Sequence, residues 1–518
     1  MTRRIFPAFS IFLAACGVFG SSDDASEIPA PPEPGRPQES VAPPEAKAPP
    51  LPGKPKDDEI NEGFGVFVSA SAAEGGDGTR AKPYRMIAAG LDEAVKQRKR
   101  LYVCTGTFEE AVKIRNGIPM VGGFDCTAPA WTLSGARTTV KSPASPAIVA
   151  EDIDVPTRVV GFDVVAPDAA DPGGSSIGML ANKAGALQIA SSKITAGKAQ
   201  AGAAGEEGTQ LFTAATAAGK PGAAEEDFVK SPLYQLTRNA GGAPGTNVCV
   251  GAAGFAGEPG GNGGNGGGYD CAQVVVIDAT VYRWAVVTTA ANITLTPTSG
   301  EIRTGAAGAQ GSDGASASAL GLFSESGFVP ADGAAGTNGG GGKGGSGGNG
   351  GPMTSSICTK GHVGESASGP GGGAGGCPGL AGTAGKGGGA SIGVLALGSA
   401  GLAFDACEIV AGSGGAGGRG TLGSSPTEGG LGGTASGTST AAGAGGPGGR
   451  AGVSGSGAGG PSIAIAHTGG EPKVENGTTL KPGTAGAGVP EETATDALGN
   501  VKTLPASAAG VAKDLFAF

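Results

Sequence analysis

Ser391-Ile392-Gly393-Val394-Leu395-Ala396-Leu397 begins a unit that continues through Leu402-Ala403-Phe404 and closes at Ile409-Val410-Ala411-Gly412. Apolar residues alternate in each piece, which is the pattern of short strands. The same unit occurs at three further places. One copy runs from Ser176 through Leu187-x-Ile189 to Ile194 and Gly197. A second runs from Trp284 through Ile293-x-Leu295 to Ile302 and Gly305. A third runs from Ser462 through a weaker middle at Val474 to Leu480 and Gly483. From the opening residue to the apolar residue before the glycine, the interval is 18 in all four copies. A constant length between alternating segments predicts one turn of a coil. Such a turn cannot bury its apolar face alone and must stack on its neighbours. The expectation is an all-β solenoid.

The rest of the composition fits an ordered frame with special inserts. Gly 105 and Pro 36 make up roughly a quarter of the 518 residues, a level also found in low-complexity chains. Hydrophobic residues are 39% and charged residues only 15%, however, whereas disordered chains carry more charge and fewer apolar residues. The glycine is clustered between the apolar segments. The net charge of −10 argues against a nucleic-acid partner, which would require a basic face. Lys96–Arg100 is the one basic run, and it falls at the end of an expected helix, where cations suit the dipole. Aromatic residues are 5%, few for the stacking platforms of a sugar-binding enzyme.

At the start, Arg3 and Arg4 precede an apolar stretch, Ile5 to Ala15, too short to span a bilayer and suited to a secretory signal. It ends Leu13-Ala14-Ala15-Cys16, which resembles the bacterial lipoprotein box. The resemblance implies removal of residues 1–15, acylation of Cys16 and, with Gly17 rather than Asp following, residence at the outer membrane. Residues 16–62 are expected to be a disordered Pro-rich tether, whose segment from Ser21 to Asn61 should sample polyproline II and span up to ~120 Å if stretched.

Residues 63–130 are expected to hold the N-terminal cap and first coils. Val66-Phe-Val-Ser leads to Gly76-Asp-Gly-Thr79 and Lys82-Pro-Tyr-Arg-Met-Ile-Ala-Ala. A helix from about Leu91 to Arg98 follows, then Leu101-Tyr-Val-Cys-Thr-Gly-Thr-Phe-Glu-Glu, Val112-Lys-Ile and Met120-Val-Gly-Gly-Phe-Asp. This order of elements resembles the first coils of right-handed parallel β-helix proteins of the pectin-lyase-like class. The resemblance implies a capping helix and that fold for residues 131–518, and it carries no catalytic residue. A helix over the first coil would also shield an open sheet edge.

The chain has 8 cysteines. With Cys16 assigned to lipid, sequence proximity pairs Cys104 with Cys126, Cys249 with Cys271 and Cys358 with Cys377. An exported protein is expected to form such bridges. Cys407 is left over as a buried core thiol. Zinc at Cys358, His362 and Cys377 is the competing idea, and it lacks a second close ligand pair.

Glycine-rich inserts are expected at about 198–272, 306–390 and 413–461, each leaving its coil at the same point. Floppy loops are one reading. Antiparallel polyglycine-II hairpins packed through bare glycine faces are another, suggested by glycine at every third position in Gly305-Ala-Ala-Gly-Ala-Gln-Gly-Ser-Asp-Gly314. A collagen register is broken, and the Asp of calcium-binding glycine repeats is missing.

Catalytic groups are sparse. The Asp-Asp pairs, Asp23-Asp24 and Asp57-Asp58, both fall in the expected tether, the 2 histidines are isolated, and Glu151, Asp152 and Asp154 read as an exposed turn. No glycine tract carries the Lys-Ser/Thr of a phosphate loop. No cofactor and no metal is expected. The expectation is a lipid-anchored cell-envelope or surface protein, structural or adhesive and not an enzyme. Its partners would be the membrane through its lipid and surface glycans or other envelope proteins. The alternatives are a polysaccharide lyase or glycoside hydrolase on the same scaffold, and a β-helix domain within a larger envelope complex.

Overall fold

Three parallel sheets carry the frame in a computed structural model that describes residues 55–127, 130–209, 211–212, 214–229, 239–250, 261–265, 268–270, 273–278, 281–285, 293–295, 299–352 and 362–518. The protein is mostly β. Sheet A contains Gly65–Val68, Arg100–Cys104, Met120–Asp125, Thr157–Val160, Leu187–Ala190, Ala403–Asp405 and Lys473–Glu475 in that order. Sheet B contains Thr107–Phe108, Thr138–Lys141, Phe162–Val165, Lys193–Thr195, Glu408–Val410 and Thr479–Lys481. Sheet C contains Val112–Lys113, Ile148–Glu151, Ser176–Asn182, Ser391–Leu397, Ser462–Thr468 and Ala512–Ala517. From Arg100 onward the chain visits A, B and C in turn, an arrangement compatible with a β-helix-like solenoid.

Three of the four sequence copies stack as their equal lengths require. Ser176 pairs with Ser391 and Ser391 with Ser462 in sheet C, while Ile194, Ile409 and Leu480 are partners in sheet B. The copy beginning at Trp284 is a correction. Its strand Val281–Ala285 pairs antiparallel with Gln273–Asp278, outside the frame. The coil ending at Thr195 therefore passes directly to the one beginning at Ser391, and residues 196–390 form one excursion. Two more follow, 411–461 and 482–511. All three leave sheet B and return to sheet C.

The alternation dictates the core. Met179, Val394 and Ile465 point inward with Ile189, Phe404, Ile194 and Ile409, nearly all fully buried. The other face of sheet C is apolar too: Ile177, Ile392, Ile463 and Leu395. Such a two-faced apolar strand needs a cover on each side. The outer cover is a hairpin from the first excursion, Gly321–Ser324 with Gly327–Pro330, which lays Phe323 and Phe328 on that face. Phe323 also stacks on Phe518, ring centres 4.4 Å apart.

Helix α1, Ile87–Gln97, packs against the first strands of sheets A and C. It starts earlier than the Leu91 expected from sequence. Its N-cap is Met86, which offers no side-chain acceptor. Glu110 does so instead, accepting from Ile87 N–H at 2.7 Å and Ala88 N–H at 3.0 Å. A carboxylate also suits the positive end of the helix. Residues 57–60, which the sequence places in the expected tether, are part of the folded body. Asp57–Glu59 form a short 3-10 turn, Ile60 is buried, and Glu59 pairs with the buried Arg100 guanidinium at 3.2 Å. Arg100 thus lies in a strand and not in a helix tail.

Candidate functional site

The excursions converge on one glycine-rich bundle. Most of its residues lie in neither helix nor strand, yet their backbone bonds are regular. Gly305, Gly308, Gly311 and Gly314 donate to the carbonyls of Ala444, Pro447, Arg450 and Val453 at 2.8, 2.9, 2.8 and 2.7 Å. A donor every third residue matches the threefold polyproline II helix, whose backbone groups all point outward for lateral bonding.

The centre of the bundle is residues 366–380, every one of them buried. Six neighbours surround it. Gly373 and Gly376 donate to Gly443 and Gly446, and accept from Gly345 and Gly342. Gly369 and Gly372 donate to Gly264 and Gly261, and accept from Gly242 and Gly245. Gly371 and Ala374 donate to Lys220 and Ala217, and accept from Gly433 and Gly430. The ring closes because the neighbours bond one another: Gly261 to Gly345, Gly263 to Gly242, Lys220 to Ala243, Gly219 to Leu431, Gly445 to Gly430 and Gly446 to Lys343. Each of the three residues per turn serves two neighbours. Of the readings open from sequence, this is polyglycine-II packing, with parallel as well as antiparallel neighbours.

Glycine is needed here for approach and not for unusual dihedrals. The central glycines have no positive φ, and a Cβ built on Gly373 would run into the Gly430 carbonyl. Floppy loops would impose no such requirement.

The cysteines require a correction. Cys104 and Cys126 are bonded as expected, Cα atoms 5.9 Å apart. Cys249 is bonded to Cys377, Cα atoms 5.7 Å apart and 128 positions apart in sequence, so the expected pairs with Cys271 and Cys358 do not form. Cys271 and Cys358 lie outside the described residues, as does Cys16. In a bundle, sequence neighbours are not space neighbours, and this bridge ties the segment holding residues 242–247 to the central one. It also occupies the Cys377 sulfur that a zinc site would use. Cys407 is buried and free, its thiol pushed up by burial.

Charges sit at the bundle rim. Arg419 forks onto Glu492 at 2.7 and 2.9 Å, holding that carboxyl below its ordinary value. Lys502 is buried and donates to the carbonyls of Leu422, Gly423 and Ser424 at 2.9, 3.2 and 3.1 Å. Burial pushes its pKa down. Sequence reading missed Lys502 and Glu110, since neither has a local motif.

An open cleft of about 580 Å³ lies where sheets A and B turn into one another. Gly122, Gly123, Gly135 and Gly161 leave bare backbone there beside Arg137, Asp163 and Ser191. Arg137 donates to the Ser191 carbonyl at 2.9 Å, and one Asp163 oxygen is buried without a protein hydrogen-bond partner. The acidic turn is dispersed into structural contacts: Glu151 pairs with Lys113, and Asp154 accepts from Asn116. His467 is buried at the end of a sheet C strand, far in sequence from His362. Among the described residues no three His, Cys, Asp or Glu side chains converge on a point. No protein-family model, curated protein or solved structure matches the chain.

Proposed function

We propose that this chain is a lipid-anchored envelope or surface protein with a structural or adhesive role. In this reading a right-handed parallel β-helix of pectin-lyase-like type, capped by α1, carries a stiff glycine-rich bundle away from the membrane. The observation that supports it best is the closed ring of six segments around residues 366–380. The described segments of the bundle bond one another through their backbones, which favours a preformed surface. Along 303–317, Gly308, Gly311 and Gly314 are buried while Ala306, Ala307, Ala309, Gln310 and Ser312 face solvent. A preordered face of small side chains loses little entropy on binding, which suits an extended partner such as a surface glycan or another envelope protein. The lipoprotein box at Cys16 and the Pro-rich tether supply the address.

Two experiments test the two halves. Globomycin should block maturation, Cys16→Ala should release the protein from the outer membrane, and protease shaving should reveal which face it occupies. A glycan array probed with the full chain should show binding that is lost when the 303–317 face is charged by Ala309→Glu with Ala315→Glu. Unchanged membrane attachment in Cys16→Ala refutes the anchor, and a blank array refutes glycan adhesion.

The second reading, a polysaccharide lyase or glycoside hydrolase, would use the Arg137 and Asp163 cleft. Incubation with acidic polysaccharides, read by reducing ends and by absorbance of unsaturated products, tests it. Activity abolished by Arg137→Ala would replace the first reading.

A further inference from the structure

We propose that the C-terminal end of the frame is a self-complementary surface on which a second copy of this chain docks tail to tail. The last strands of the three sheets are Lys473–Glu475, Thr479–Lys481 and Ala512–Ala517, and each pairs with the frame on one edge only among the described residues. The core is left half covered there. Phe404, Ile409 and Ile465 are 0% exposed, yet Val474 at the position below Phe404 is 38% exposed. Leu480 and Leu515, below Ile409 and Ile465, are only partly buried.

The ladder fixes which backbone groups are open. Lys473 N–H donates back to Leu402 at 2.8 Å, and Ala406 N–H reaches the Glu475 carbonyl at 3.4 Å. In a parallel ladder the residue between them turns its N–H and C=O the other way, so Val474 presents both to the open edge. Two copies related by a two-fold axis at Val474 would pair this strand antiparallel with itself. Val474 would then exchange both bonds with its equivalent, and Lys473 would stand opposite Glu475 of the second copy. Neither residue has an ion-pair partner among the described residues, whereas Lys193 and Lys481 already share Glu408. Opposite charges across such a pair stabilise it, and like charges oppose it. At the other end of the frame α1 lies against the first strands of sheets A and C, so the two ends differ. A strand that pairs with its own equivalent about a two-fold axis makes an isologous contact, and a closed pair is the product.

Sedimentation velocity on the full chain, in detergent where it carries lipid, tests this. The wild type should form a dimer that dissociates on dilution. Lys473→Glu and Glu475→Lys should each weaken it about tenfold or more, and the two together should restore it, because the swap preserves complementarity. Val474→Cys should give a disulfide-linked dimer under oxidation, since directly bonded antiparallel residues lie about 5.5 Å apart. All of these residues are exposed, so circular dichroism should show each variant folded. A wild type that is monomeric at the highest concentration reached, or a dimer indifferent to the single reversals, overturns the proposal.

Discussion

Ser391 donates its hydroxyl hydrogen to the carbonyl of Gly197, 2.7 Å away across 194 positions of sequence. The same staple recurs one coil on, where Ser462 donates to the Gly412 carbonyl at 2.6 Å and accepts from Gly483 N–H at 2.8 Å. Ser176 accepts from Gly197 N–H at 2.8 Å. The opening serine of a coil thus holds the glycine at which the excursion leaves. Ser391→Ala should remove a buried partner and cost about 1–2 kcal/mol. Chemical denaturation of the full chain measures it, and Ser391→Thr should recover part of the loss.

The bundle disulfide makes a distinct prediction. Proteolysis without reduction, followed by mass spectrometry, should recover a Cys249–Cys377 linked peptide and none joining Cys249 to Cys271. Closing a loop of 128 residues restricts the unfolded chain, by about 4–5 kcal/mol in the loop-entropy model. Cys249→Ala with Cys377→Ala should therefore make the bundle more susceptible to protease. The Cys104–Cys126 bridge, in the first coils, should be unaffected.

Glycine substitution separates the packed bundle from an unstructured one. Gly373→Ala places a methyl group against the Gly430 backbone, which cannot rotate aside as a side chain could. The expected cost is about 3 kcal/mol or more, at the upper end for overpacking. Gly300→Ala is the control, because a Cβ there meets nothing within 4 Å and the residue is exposed. Thermal unfolding should shift for the first and stay for the second. Equal tolerance of both would mean that the glycines are not in contact.

The frame was legible because its signal is chemical as well as periodic: serine at one end of the coil and glycine at the other touch, and so their separation is fixed. The Trp284 copy shows the limit of spacing alone, since it has the interval but not the serine. Glycine at every third position made polyglycine-II packing conceivable. It could not say which segments adjoin, because bare glycine faces are interchangeable and the bonded partners lie tens to hundreds of positions apart. Pairing cysteines by proximity failed for Cys249 and Cys377 in the bundle for that reason, while it held for Cys104 and Cys126 in the frame. Local motifs failed at α1 and at Asp57–Glu59, where the deciding groups, Glu110 in a bend and Arg100 in a strand, come from further along the chain.

A charge ladder on the frame should respond to acid. Glu408 lies between Lys193 and Lys481 on adjacent coils, 3.5 and 2.7 Å from their ammonium groups. The hydrogen bond from Lys481, above all, holds its carboxyl below the ordinary value of 4.5, with the charge of Lys193 assisting against some burial. A depressed folded pKa means that the unfolded chain takes up the proton first. The contribution is therefore present above pH 4.5 and is lost as pH falls through the folded value. All three side chains are partly exposed, so the effect should be below about 1 kcal/mol. Glu408→Gln should lower stability slightly at neutral pH and flatten the acid limb of a Tm-against-pH curve, with the gap between variant and wild type closing at the acid end. A gap that stays constant across that range would show that the ladder contributes nothing through its charge.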